Sequence, residues 1–424
     1  MNARALSRLA AGVTLAAILA ARAGAADGLT LGEVLSRVLA QHPNLQAAAS
    51  EVAARDSGVL QAGLRPNPEM SLEVEELGSP GGRDSLEATL SLAHAVQLGG
   101  KRGKRQRAAS LEAELARWDE ASARQDLVAE VRAAFVEALA AQERLAQAEA
   151  LAELTGRGFR AVEERVEAGK VSPIERTQAR VAVSSAQIEL RRAQVRWDAG
   201  RRRLAALWGG TGDDIAQLAG FLAVGAPPAS EEELASELAR NPDLARWETE
   251  TALRKAGLDA ARSLAVPDLT LSGGVRSVGA GDVVTGLAGV SLPLPLFDRN
   301  QGGIGAARAE LDKSRAQAQA ARLRLRAELA ATYREAEGAR AEALTLAEHL
   351  LPDAEAAFEA VREGYRLGKF DLQRLLDAQR TVVEARTQLL DAQEAFHLAE
   401  TRLARLTGRL LSSGSGAPQG PETR

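Results

Sequence analysis

Between Gly103 and Ala168 the chain runs for about 65 residues without a proline, built mostly of Ala, Leu, Glu, Arg and Gln, which are strong helix formers. Leu127, Val131, Phe135 and Leu139 recur at every fourth position, the step that keeps side chains on one face of an α-helix. Ala138 and Leu145 widen that stripe and Gln142 interrupts it. At ~1.5 Å per residue such a stretch predicts a rod of roughly 100 Å, longer than a single globular core requires.

Elsewhere the period falls to two. Met70, Leu72 and Val74 alternate with Glu69, Ser71, Glu73 and Glu75; past the turn Gly78-Ser79-Pro80-Gly81-Gly82, Leu86, Ala88, Leu90 and Leu92 alternate with Glu87, Thr89 and Ser91. This predicts a β-hairpin over 68–97. Leu269 and Leu271 alternate in the same way with Asp268, Thr270 and Ser272, and Ala288, Val290 and Leu292 follow across Gly279-Ala280-Gly281-Asp282. A second hairpin is therefore expected over 267–296. One face is apolar and the other charged, which fits a barrel with lipid outside and water inside. A solvent-exposed hairpin packed on a helix gives the same alternation. Neither hairpin contains an aromatic residue, so the interfacial girdle usual in membrane barrels is missing.

The pattern is duplicated. His42-Pro43-Asn44-Leu45 returns as Asn241-Pro242-Asp243-Leu244, Gly169-Lys170 as Gly368-Lys369, and Leu207-Trp208-Gly209 as Leu406-Thr407-Gly408, each at an offset of 199. Thr30-Leu31-Gly32-Glu33 and Ser230-Glu231-Glu232-Glu233 are both capping-box patterns. The first repeat is read as 27–225, with a long helix 101–168 and a return helix 172–207. The second is read as 226–408, with a long helix 304–367, kinked at Pro352, and a return helix 372–407. Residues 409–424 read as a disordered tail.

Residues 1–26 read as a secretory leader: Arg4 and Arg8 precede a short apolar core, which ends in small residues at Ala23-Gly24-Ala25-Ala26. No later stretch has the ~18 uncharged apolar residues of a membrane-spanning helix. With 26% charged residues, 3% aromatic residues and no cysteine, the composition suits long helices packed through small side chains and excludes disulfides, thiolate metal sites and a lipidated N-terminal cysteine. The formal charge of −4 gives no reason to expect nucleic acid.

Chemistry is sparse. His42, His94, His349 and His397 are the only histidines; none has metal-ligand spacing and no nucleophile motif accompanies them. No enzyme, cofactor or metal site is expected. Gly99-Gly100-Lys101-Arg102-Gly103-Lys104 is not a P-loop, because arginine follows the last lysine and no buried apolar strand precedes it. The cluster Lys101, Arg102, Lys104, Arg105 and Arg107 sits where strand becomes helix. It reads as a contact with phospholipid head groups at a membrane rim, or else as a solvated helix start.

Four strands cannot close a barrel, since membrane barrels begin at eight; two copies would supply eight and three copies twelve. If the hairpins span a membrane, an oligomer is required.

Together these features resemble the TolC-type outer membrane efflux family, and within it the CzcC-like branch that serves heavy-metal exporters. The resemblance spans nearly the whole mature chain. It rests on Gly63-Leu64-Arg65-Pro66-Asn67-Pro68-Glu69, Leu98-Gly99-Gly100-Lys101-Arg102, Gly169-Lys170-Val171-Ser172-Pro173 and Leu294-Pro295-Leu296-Phe297-Asp298-Arg299-Asn300-Gln301-Gly302-Gly303. It implies a mainly α fold with a small β part: a homotrimer with a long α-helical tunnel in the periplasm and a transmembrane β-barrel in outer-membrane lipid. It further implies docking on a periplasmic adaptor and an inner-membrane RND pump. By the same resemblance, the helix-hairpin tips dock the adaptor and close the tunnel. They correspond to Gly169, Lys170 and Val171, and to Gly368, Lys369 and Phe370. A gate aspartate falls at Asp377; the family's second one is replaced by Arg374; a gate tyrosine falls at Tyr365, with its acidic partner at Glu175. Glu175 and Asp377 read equally as a helix cap and a solvated helix residue. The competing cargo is drugs or organic solutes, and the competing architecture is a periplasmic coiled-coil adaptor or scaffold.

Overall fold

A computed structural model describes residues 28–75, 86–279 and 283–411. The leader, the turn at Gly78 to Gly82, residues 280–282 and the tail beyond Leu411 lie outside the described residues.

Helix α1 (Leu31–Gln41) starts on a capping box: Glu33 N donates to Thr30 Oγ1 at 3.3 Å, and Thr30 N donates to Glu33 Oε2 at 2.8 Å. Helix α2 (Pro43–Ala62) leads into strand β1 (Glu69–Glu75), and β2 (Glu87–Val96) leads into α3 (Lys101–Glu167), a single helix of 67 residues. Helix α4 (Pro173–Ala206) returns. The second repeat follows as α5 (Glu231–Glu237), α6 (Pro242–Ser263), β3 (Leu269–Val278), β4 (Val283–Ser291), α7 (Gln301–Thr345), α8 (Leu351–Arg366) and α9 (Leu372–Thr407).

Where a helix over 304–367 was expected, the structure begins it at Gln301, with Ile304 N donating to Asn300 O at 2.9 Å. It also inserts a π-helical turn, Leu346–Leu350, between α7 and α8. Pro352 has no N–H to give the preceding turn and its ring crowds the carbonyl there; the wider turn absorbs that conflict. Arg409–Leu411, assigned to the tail by sequence, form a 3₁₀ turn instead. Leu410 is buried and Arg409 is ion-paired with Glu237, which fixes this segment.

The strands form one antiparallel sheet in the order β1-β2-β3-β4, so the two repeats meet at β2 and β3. Leu72, Leu90, Val275 and Gly286 lie in one cross-strand row, and Met70, Leu92, Gly273 and Ala288 in the next. That face is apolar apart from residues such as His94 and Ser277. The other carries Glu69, Glu73, Glu75, Glu87, Thr89 and Arg276, with Arg276 donating to Glu87 at 3.1 Å and to Thr89 at 3.1 Å. The outer strands β1 and β4 are exposed at every residue.

The described residues divide into two compact units, and these are not the two sequence repeats. Of the described residues, one unit draws on those up to Pro43, on Arg124–Leu238 and on those from Arg326 onward, the other on those within Asn44–Ala123 and Ala239–Leu325. Each therefore combines matching parts of both repeats. In the first unit Leu127, Val131, Phe135 and Leu139 are buried, as their spacing requires. Gln142, the polar interruption of that stripe, donates to Leu218 O at 3.1 Å and accepts from Leu218 N at 2.8 Å. It thereby pins the link between the repeats, whose Ile215, Leu218 and Leu222 are buried. In the second unit Trp118 Nε1 donates to Thr249 Oγ1 at 3.2 Å, and Thr249 Oγ1 donates to Glu114 at 3.0 Å, joining α3 to α6.

Candidate functional site

Two helix hairpins, α3–α4 and α8–α9, turn on short tips. Gly169 (φ 69°) and Gly368 (φ 73°) supply the left-handed residue that ends α3 and α8, a conformation costly for any residue with a Cβ. Lys170 N closes the first tip on Arg165 O and Lys369 N closes the second on Gly364 O, both at 2.8 Å. Each return helix then starts on a side-chain cap: Ser172 accepts from Ile174 N at 3.4 Å, and Asp371 accepts from Arg374 N at 2.9 Å. Gly169, Lys170, Gly368 and Lys369 are exposed and Val171 is half-buried. Phe370 is half-buried too, its ring seated on Gly364, where a Cβ would stand 2.3 Å from the ring. The second tip is thus anchored by its own aromatic residue.

The structure brings Tyr365 and Glu175 together across the hairpins. Tyr365 OH donates to Glu175 Oε2 at 3.2 Å. Glu175 therefore spends its carboxylate on the neighbouring hairpin rather than on the cap of α4. The Arg165 guanidinium lies 4.8 Å from the centre of the Tyr365 ring, a cation–π distance. Burial first, and then the Glu175 carboxylate, push the Tyr365 phenol above its ordinary 10.0, so it keeps its proton and stays a donor at neutral pH. Arg374 and Asp377 do not join this contact. Arg374 stacks on Phe370, 5.1 Å from the ring centre, and Asp377 is exposed, 3.6 Å from Arg380. Asp377 borders a groove between α4 and α9, opposite Val181 and Ser185.

At the strand–helix junction the basic cluster divides. Lys101 Nζ bonds Asp268 Oδ1 at 2.7 Å, and the same oxygen accepts from Leu98 N at 3.0 Å. Arg105 donates to the carbonyls of Ala62 at 2.9 Å and Leu64 at 3.1 Å. These two cations tie chain segments together. Lys104 is half-buried, while Arg102 and Arg107 are exposed.

Sequence reading missed Arg165, Gly364 and Asp268. Asp268 stands 167 residues from Lys101, and no local pattern marks it. Arg165 lies one helical turn before the tip glycine, a position that a stacking partner for a tip tyrosine could have been sought in. Among the described residues no helix is long and apolar enough to cross a membrane. None of their His, Asp and Glu side chains form a group of three or more placed to hold a metal ion.

The described residues thus carry two long helix hairpins and one four-stranded sheet on a duplicated chain. The family model described as outer membrane efflux protein matches residues 34–210 and 234–409, once per repeat. The cobalt-zinc-cadmium resistance protein CzcC of Cupriavidus metallidurans is 36% identical over 386 residues, covering 91% of each chain. The nickel-cobalt-cadmium resistance protein NccC of Alcaligenes xylosoxydans xylosoxydans is 29% identical, over 70% of this chain and 68% of its own. Among solved structures, the outer membrane protein VceC of Vibrio cholerae superposes with a TM-score of 0.76 at 19% identity, over 89% of this chain and 96% of that one, which is a likeness of fold. The chain belongs to the outer membrane efflux protein family. It is an outer membrane channel protein that extends into the periplasm, not an enzyme.

Proposed function

We propose that this chain is the outer membrane channel of a tripartite efflux system that passes heavy-metal cations, of the cobalt, zinc and cadmium kind, from the periplasm to the outside. The observation that carries the cargo class is the 36% identity to CzcC over 91% of both chains. The channel is an oligomer, because β1 and β4 leave two unpaired sheet edges per copy, an arrangement a bilayer does not accept; the family resemblance makes it a homotrimer, whose three copies close twelve strands. The exposed tip residues Gly169, Lys170, Gly368 and Lys369, with Val171 beside them, meet a periplasmic adaptor that couples the channel to an inner-membrane RND pump. Phe370 and Gly364 hold the second tip in shape. At the membrane rim, Arg102 and Arg107 reach phospholipid head groups, while Lys101 and Arg105 secure the junction.

A deletion strain tests the cargo. Growth is expected to fail at concentrations of cobalt, zinc or cadmium that the parent tolerates, with lipophilic drugs unaffected and the intact gene restoring growth. Sensitivity to drugs alone would keep the channel and reject the metal reading.

The Tyr365–Glu175 bond, beside Arg165, is the latch of the tunnel's closed end, and Asp377 contributes negative charge to the pore there. Carboxylates around a narrow pore favour cations and hold divalent ions. Asp377→Ala is therefore expected to raise single-channel conductance and weaken block by divalent cations in planar bilayers. Unchanged conductance and block would take Asp377 out of the pore.

A further inference from the structure

Beside the Tyr365–Glu175 bond, within one compact unit, lies a half-open pocket of about 280 Å³ that the channel reading does not use. Leu154 and Phe159 of α3, Phe358 of α8, and Leu375 and Leu376 of α9 line it, with the Tyr365 ring as part of the wall. Val162, Ala179 and Leu372, all buried, pack into the same cluster. Four helices from two separate hairpins thus border an apolar pocket that is about half open to solvent.

The polar groups around the space are largely engaged elsewhere. The Thr155 hydroxyl donates to the carbonyls of Leu151 at 2.9 Å and Ala152 at 3.1 Å. Tyr365 OH is bonded to Glu175. At the rim, Arg157 pairs with Glu153, and Arg362 pairs with Glu359 at 2.5 Å. Gln379 adds an amide. An ion entering here would lose its hydration without a free partner of opposite charge. An apolar molecule gives up no such hydration and buries part of its surface against the apolar lining.

We propose that this cavity binds a small uncharged apolar molecule of about one or two rings, and that occupation holds the two hairpins in the arrangement that forms the Tyr365–Glu175 bond. The ligand touches both hairpins, so it favours the state in which the cavity exists. The binding claim stands apart from the channel reading, and the gating claim rests on it.

Glycine provides the probe. Gly158 lines the cavity, and a Cβ there meets nothing within 4 Å; Gly156 on the same helix has equal room but does not line it. Either glycine replaced by leucine gains helix propensity, so Gly156→Leu controls for that effect. Crystals of the full-length protein under xenon pressure should show an anomalous peak in the cavity of the natural protein and of Gly156→Leu. The peak should be lost in Gly158→Leu. Ala161→Leu, on the same rim, is a second filler in case Gly158→Leu does not assemble. In bilayers Gly158→Leu should act as a built-in occupant, with open probability about threefold below that of Gly156→Leu. No peak in the natural protein, or one that survives both fillers, overturns the site. Equal open probabilities in Gly158→Leu and Gly156→Leu overturn the gating claim. Failure of every form to conduct rejects the channel reading and leaves the xenon result standing on its own.

Discussion

Tyr365→Phe is expected to raise the open probability of the reconstituted channel by about tenfold to a hundredfold. The substitution keeps the ring on which Arg165 stacks and deletes only the hydroxyl that donates to Glu175 at 3.2 Å. A hydrogen bond to a charged acceptor contributes about 1.5–3 kcal/mol, and about 1.4 kcal/mol is a factor of ten in an equilibrium. If the bond exists only while the hairpins are together, its loss appears wholly in the opening equilibrium. Glu175→Ala should reproduce the effect, and the double variant should open no further than either single one, because both remove the same bond. Additive effects would show that the two residues act separately. The raised phenol pKa carries a further expectation. Tyr365 remains the donor from pH 6 to its ordinary value of 10.0, so ionisation of this group releases the latch only in more alkaline solution. An opening step centred below that value and absent in Tyr365→Phe would contradict the assignment.

The second large effect is on stability. Phe396→Ala should cost about 3–5 kcal/mol. Phe396 in α9 is fully buried, among the largest such side chains, and its ring meets His397 edge to face at 5.3 Å between centres. Truncation removes the transfer energy of the ring and leaves a void that the long helices around it fill poorly, because their spacing is set by many other contacts along their length. Thermal unfolding of the purified protein, followed by circular dichroism, should show a midpoint lowered by about 3–6 °C. Phe396→Leu should recover more than half of the loss, since it restores most of the volume. An unchanged midpoint in Phe396→Ala would mean that this part of α9 is not a rigid core.

Much of the architecture was legible because long helices and short strands have unlike periods. The four-residue steps around Val131 lie in α3, and the alternation at Met70 and Leu90 lies in β1 and β2. The proline at 352 marked an interruption, but its form was not legible: a kink and a π turn follow from the same missing N–H. The candidate site was less readable. Tyr365 and Glu175 were paired only through resemblance, since nothing local links residues 190 positions apart. The basic cluster looked uniform in sequence. Its division between bonded Lys101 and Arg105 and exposed Arg102 and Arg107 depends on what stands opposite each one.

By itself, the sequence determined the duplication, the helical and extended periods, the tip glycines and the helix-starting boxes at Thr30 and Ser230. Each of these is a preference of the chain acting over a few residues, so it survives without knowledge of neighbours. Tertiary structure alone decided that the compact units are not the repeats. Each unit unites the corresponding parts of both, with β2 paired to β3 across the duplication. It also decided that Gln142, a flaw in an apolar stripe, is the clamp on the link between repeats. The physical reason is the same in both cases. A buried apolar face or an unmet hydrogen-bonding group requires a partner, and the chain's local pattern states the requirement without naming which distant segment meets it.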